Sequence, residues 1–91
     1  MKAKLKNEKD SSWKKKNNYL VKEFLFRDFK TAIQFINKIA IVSEEMNHHP
    51  DWSNSFNRVE IKLQTKDLHG VITEKDFLLA EKIDTIFFSL R

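Results

Sequence analysis

"FNRVEIKLQ", residues 56 to 64, is the stretch that decides the fold. Phe56, Val59, Ile61 and Leu63 are apolar while Arg58, Glu60, Lys62 and Gln64 intervene. A period of two places alternate side chains on opposite faces of a strand, so Val59 to Leu63 predicts a strand with one face in a core and one in water. That pattern belongs to an antiparallel sheet covered on one side only.

Upstream, Asp28 can accept the free amide hydrogens of a helix start, and "FKTAIQFINKIAIVSEEMN" follows at helical spacing. Phe29, Ala32, Ile33, Ile36, Ile39, Ala40 and Ser43 line one side, and Phe35, Val42 and Met46 widen the stripe. So broad a stripe predicts packing against the sheet and against something further, such as a second subunit. Pro50 cannot continue a helix and biases His49 away from helical dihedrals, which places "NHHP" at the helix end or in the loop that leaves it. Earlier still, "WKKKNNYLVKEFLF" reads as two strands around Asn17-Asn18, since asparagine tolerates the left-handed backbone of a tight hairpin.

Downstream, "TKDLHG" holds the only glycine, Gly70, and reads as a strand end turning into a loop, with a further strand segment expected there. "TEKDFLLAEKIDTIFFSL" opens with Thr73 and Asp76 at capping-box spacing and continues as a helix with Leu79, Ile83, Ile86 and Leu90 on one side. The class expected is α+β, with helices packed on one face of an antiparallel sheet.

The chain has 91 residues, 41% of them hydrophobic, with eight phenylalanines and two tryptophans, enough for one core. Its net charge is +4, but the charge is segregated. Residues 1 to 16 carry seven lysines against Glu8 and Asp10, whereas the remainder holds ten basic and eleven acidic residues. The basicity therefore belongs to a tail: residues 1–12 are expected to be a flexible basic arm and 13–91 a single domain. A solvated arm accounts for the lysines without a nucleic-acid partner. The absence of cysteine rules out disulfides, thiolate metal sites and cysteine nucleophiles. No apolar run approaches the roughly 20 residues that span a bilayer, and the lysine-rich start lacks an apolar signal region. A soluble cytoplasmic protein is expected.

His48 and His49 are the chain's best acid–base candidates, because imidazole takes and gives protons near neutral pH. Neighbouring residues point in different directions, so a bidentate metal chelate is awkward, while two groups around one substrate are feasible. His69 is the remaining imidazole, but its spacing from the pair matches no common zinc pattern, and no metal is expected. A plain structural reading exists for each residue. Imidazoles at a helix C-terminus can bond free carbonyls. Asp76 completes the Thr73 box and needs no other role. Trp52 is more often core than platform. Glu44 and Glu45 near a helix end oppose its dipole, which hints at another use.

Taken together, "EEMNHHPDWSNSFNRVEIKLQTKD" and the later "TEKDFLLAEKID" resemble the pterin-4a-carbinolamine dehydratase family, from about Trp13 to about Ile86. Glu44, His48-His49-Pro50, the aromatic Phe56 and Asp76 follow the family signature in order. The resemblance implies a four-stranded antiparallel sheet with helices on one face, assembled as a homodimer or homotetramer through sheet edges and helix packing. It implies loss of water from a 4a-hydroxytetrahydropterin to give the quinonoid dihydropterin, with neither metal nor cofactor. It also implies a functional link to an aromatic amino-acid hydroxylase that supplies the substrate.

The roles it implies are His49 as leading general base or acid, with His48 as a pterin-contacting partner sharing proton transfer, and Asp76 with them. Pro50 fixes the loop, Glu44 orients an imidazole or meets the pterin edge, and Trp52 packs under the loop. Thr65, Lys66, Asp67 and Leu68 align with the strand end that contacts substrate. Two departures stand out. Lys66 occupies a position where the family usually has histidine or tryptophan, and one extra residue, in the loop holding His69, precedes the last helix. His69 swinging in, Lys66 acting as a cationic acid, and pterin binding with weakened catalysis are the three consequences to distinguish. The second departure is the lysine-rich start, where the family commonly has a full helix. Some relatives dock a transcription factor, so a non-catalytic, coactivator-like module of the same fold is the alternative.

Overall fold

The computed structural model describes residues 13–90; the expected basic arm lies outside them. Strand β1 (Lys14–Lys16) turns at Asn17 and Asn18 into β2 (Tyr19–Leu25). Both asparagines have positive φ, 50° and 67°, as a two-residue hairpin turn demands. Helix α1 (Phe29–Met46) follows, its N-cap Asp28 accepting from the Thr31 N–H at 2.8 Å. The chain then forms β3 (Asp51–Ser55) and β4 (Arg58–Leu63), a single 3-10 turn (Lys66–Leu68), and helix α2 (Glu74–Ser89). The four strands make one antiparallel sheet in the order β1-β2-β4-β3.

The fourth strand is not where the sequence placed it. It precedes the alternating stretch, at "DWSNS", and "TKDLHG" supplies only the isolated bridge of Thr65 with Val71 before its 3-10 turn. Strand β3 escapes a hydrophobic pattern search because it is an edge: from Trp52 to Ser55 every residue is exposed. Phe56, read as the first apolar position of the alternation, is instead the turn between β3 and β4, with φ 52° and 67% exposure. Asn54 steadies this turn, its side-chain amide donating to the carbonyls of Phe56 and Arg58 at 3.2 and 2.9 Å.

The core lies between one sheet face and the two helices. Leu20, Phe24, Val59, Ile61 and Leu63 face Ala32, Phe35 and Ile39 of α1 and Leu79, Ala80 and Ile83 of α2. The buried stripe of α1 centres on Phe35, which is fully buried and packs at ring-centroid distances of 4.9 Å from Phe24 and 4.8 Å from Phe26. Phe29, assigned to that stripe by spacing, is about half exposed. Lys22 shares the core-facing side of β2 and is almost fully buried. Its Nζ donates to Asp84 at 2.8 Å, and Trp13 Nε1 donates to the same carboxylate, tying the residue before β1 to α2.

Candidate active site

The end of α1 determines where the histidines go. Asn47 adopts φ 53° and its N–H reaches back to Ser43 and Glu44, while the His48 N–H bonds the Ser43 carbonyl at 3.0 Å. Four residues, Asn47 to Pro50, connect the helix to β3. The imidazoles thus sit on a short link held between two regular elements.

His48 turns inward. Its Nε2 lies 2.6 Å from Oδ1 of Asp76, which is fully buried at the first turn of α2. The other carboxylate oxygen of Asp76 accepts the Thr73 N–H and the Thr65 hydroxyl, each at 2.8 Å. Thr73 Oγ1 lies 2.6 Å from Thr65 Oγ1 and accepts from the Lys75 N–H at 3.3 Å. Because Thr65 has one hydroxyl hydrogen and gives it to Asp76, the Thr73 hydroxyl must donate to Thr65. The capping box expected from spacing is present, and the same carboxylate also holds an imidazole 28 residues away in sequence. A carboxylate accepting at both oxygens takes its bond from an Nε2–H of His48, leaving Nδ1 as the nitrogen that can accept a proton when the ring is neutral.

His49 turns outward. Its Nε2 lies 2.6 Å from Glu44 Oε2, and both side chains are more than half exposed. Glu44 stands in the last turn of α1, where a carboxylate opposes the helix dipole; the imidazole bond supplies a use for it. A pair this exposed adds little stability, so its consequence is orientation of the ring.

Both histidines line a depression of about 200 Å³, together with Asn47, Gln64, Lys66, Asp67 and Lys75. Larger hollows exist over Val21 and Glu60 on the open sheet face, about 360 Å³, and beside Met46 and Ile86, about 470 Å³. Neither contains an imidazole, so chemistry and not size singles out the smaller one. Lys66 Nζ donates to both oxygens of Asp51, at 2.9 and 3.1 Å. That hydrogen bonding, with the carboxylate's charge, raises the Lys66 pKa above the ordinary lysine value of 10.5 against a smaller opposing desolvation.

The other expected site residues lie around this depression without lining it. Thr65 is buried behind it as the link between Asp76 and Thr73. Pro50 is half-buried in the connecting loop. Leu68 is exposed on the 3-10 turn. His69 caps that turn at φ 64° with an exposed side chain. Trp52, on the edge strand β3, stands opposite the buried Ile61 of β4 and is 38% exposed. Among the described residues no three His, Asp or Glu side chains gather as metal ligands. None of their helices is long and apolar enough to cross a membrane.

Asp51, Asn47, Gln64 and Lys75 were not singled out from the sequence. Asp51 follows Pro50 directly and its position in "HHPDW" was a usable signal. Gln64 is held by donating to the carbonyls of Asn18 and Gly70, contacts that no sequence pattern announces. Gly70 itself is constrained, because it has φ 71° and a Cβ there would stand 3.0 Å from the Gln64 side chain.

Comparison with known proteins finds relatives along most of the chain. Residues 1–86 match the family model described as pterin 4 alpha carbinolamine dehydratase. A Prochlorococcus marinus (strain NATL2A) relative bearing that enzyme's name is 46% identical over 90% of this chain and 85% of its own length. One from Sulfurisphaera tokodaii is 45% identical over 86% of this chain and 83% of its own. The crystal structure of a transcriptional coactivator/pterin dehydratase from Brucella melitensis superposes with a TM-score of 0.80 at 32% identity, covering 96% of this chain and 97% of that one. A pterin dehydratase-like protein identified as a RuBisCO assembly factor in the alpha-carboxysome gives 0.71 at 26% identity, over 82% and 88%. The fold, the matched length and these identities together show that the chain belongs to the pterin-4α-carbinolamine dehydratase family.

Proposed function

We propose that this protein dehydrates a 4a-hydroxytetrahydropterin to the quinonoid dihydropterin in the cytoplasm, by histidine acid–base catalysis. The observation that carries the reading is the pairing of each adjacent imidazole, through Nε2, with a separate carboxylate: His48 with Asp76 and His49 with Glu44. Two oriented imidazoles on one depression can hold and move a proton on one small ring system. His49, the exposed member, is the leading base or acid; His48, fixed by the buried aspartate, contacts the pterin and shares the transfer. The chemistry asks for little more, since a proton leaves a ring nitrogen while the hydroxyl departs as water. Asp67, Asn47 and Gln64 supply hydrogen-bonding groups for the polar pterin edge.

The test is the rate of dehydration of 4a-hydroxytetrahydropterin generated in place by a hydroxylase and followed by absorbance. Acceleration by the wild type, with a loss of about 10² to 10⁴ in His49→Ala, is expected from the usual worth of a positioned acid or base. No acceleration over the uncatalysed rate would sink the reading.

Exposed Ile41 and Leu78 on the helices and the edge of β3, unpaired among the described residues, support a second property, assembly into a homodimer or homotetramer. They equally support the docking alternative, in which the fold serves a partner without chemistry, and the rate measurement separates the two.

A further inference from the structure

Lys66 reaches the depression from the 3-10 turn that follows β4, on the same lining as His48 and His49. Its ammonium does not hang free: both oxygens of Asp51 hold it, at 2.9 and 3.1 Å. Asp51 is the first residue of β3, one position after Pro50, and in the ladder it stands opposite Lys62 of β4. The backbone of the salt bridge is therefore set by the sheet at one end and by the 3-10 turn at the other. Lys66 opens that turn, and its carbonyl accepts the His69 N–H at 3.1 Å. An ammonium has three N–H donors, so two bonds to Asp51 still leave one for a ligand in the depression.

We infer, on the basis of the dehydratase reading above, that Asp51 is a positioning residue that keeps Lys66 as the acid of the site, delivering a proton to the departing 4a-hydroxyl. In the step, the N–H proton of the ring nitrogen beside the carbinol carbon passes to a site imidazole. The nitrogen's electron pair forms the new C=N bond, and the C–O bond breaks with its pair going to oxygen. Oxygen takes a proton from Lys66 Nζ and leaves as water. The imidazolium and the neutral amine then return to their starting states by proton exchange through solvent, so atoms and charges balance over one turnover.

The consequence separates this site from one built on a third imidazole. A histidine acid loses its proton as pH rises through about 6.5, so a rate that depends on it falls above neutrality. A lysine held by a carboxylate keeps its proton through that range; hydrogen bonding and charge from Asp51 shift Lys66 in the direction that extends it.

The experiment measures kcat and KM for dehydration from pH 7 to 9, corrected for the uncatalysed rate, in wild type, Lys66→Met, Lys66→His, Asp51→Asn and Asp51→Glu. Both side chains are about half exposed, so the variants are expected to fold, and circular dichroism checks this. The expected results are a flat wild-type profile and a loss in kcat of about 10²-fold for Lys66→Met. Lys66→His should be active at pH 7 but fall about tenfold per pH unit toward pH 9. Asp51→Asn should lower kcat with KM little changed, and Asp51→Glu should restore it. Wild-type kcat in Lys66→Met, or a wild-type profile that falls as Lys66→His does, overturns the inference alone. An inactive wild type overturns the dehydratase reading and this inference with it.

Discussion

Replacing Asp76 by asparagine tests the link between the buried network and the chemistry at a single atom. In the wild type, Oδ2 accepts from Thr73 N–H and Thr65 Oγ1, and Oδ1 accepts from His48 Nε2. Asparagine keeps one oxygen and exchanges the other for an NH₂. With that NH₂ on the Thr73 side it would meet the backbone N–H, donor against donor, and the helix cap would be lost. The oxygen therefore stays with Thr73, and the NH₂ faces His48 Nε2. Nε2 must then accept, which moves the ring proton to Nδ1 and removes the lone pair available in the wild type. His48 is disarmed as a base with its ring still in place. Exchanging a charge-assisted bond for neutral ones in a fully buried site costs about 2 kcal/mol, which for a domain of this size lowers Tm by roughly 8–16 °C. At 20 °C the variant should remain folded, with kcat down about 10²-fold and the His48 ring nitrogens exchanged in their NMR signature. Wild-type kcat together with the exchanged tautomer would refute the reasoning, because proton acceptance at Nδ1 of His48 would then be irrelevant to the rate.

Three further outcomes are expected. Asp28 accepts hydrogen bonds from Thr31, which lowers its pKa from 3.8. Its folded value thus lies below its unfolded one, so its contribution is full above about pH 4 and disappears as pH falls through the folded value. Asp28→Asn, which caps without titrating, should make the loss of the urea midpoint below pH 4 shallower; an unchanged acid limb would argue against it. Lys22→Met should cost about 1–3 kcal/mol in urea unfolding, below the usual 3–5 for a broken buried pair, because Asp84 remains 30% exposed and can rehydrate. The double variant Lys22→Met/Asp84→Leu should recover most of that loss. Trp52→Lys places a charge on the edge of β3 and should reduce the mass measured by light scattering if copies pair through that edge; an unchanged mass would direct attention to the helices.

Local chemistry determined much of this protein before any contact was known. The left-handed turn at Asn17-Asn18, the Asp28 cap, the stop before Pro50, the half-buried period of Val59 to Leu63 and the Thr73–Asp76 box are each decided by a few neighbouring residues. All of them stand in the structure as expected. Strand β3 was not legible, because an edge strand exposed on both faces carries no hydrophobic alternation. Nor was the centring of α1 on Phe35, since a broad apolar stripe fits several rotations and the aromatic partners Phe24 and Phe26 select one. His48, His49 and Asp76 could be picked out as residue types with a familiar order. Only the tertiary structure determines that His48 goes inward to Asp76, that His49 goes outward to Glu44, that Asp51 holds Lys66 and that His69 does not line the depression. Those choices join residues between five and 28 positions apart. Their geometry is set by how α1, the sheet and α2 pack around one core.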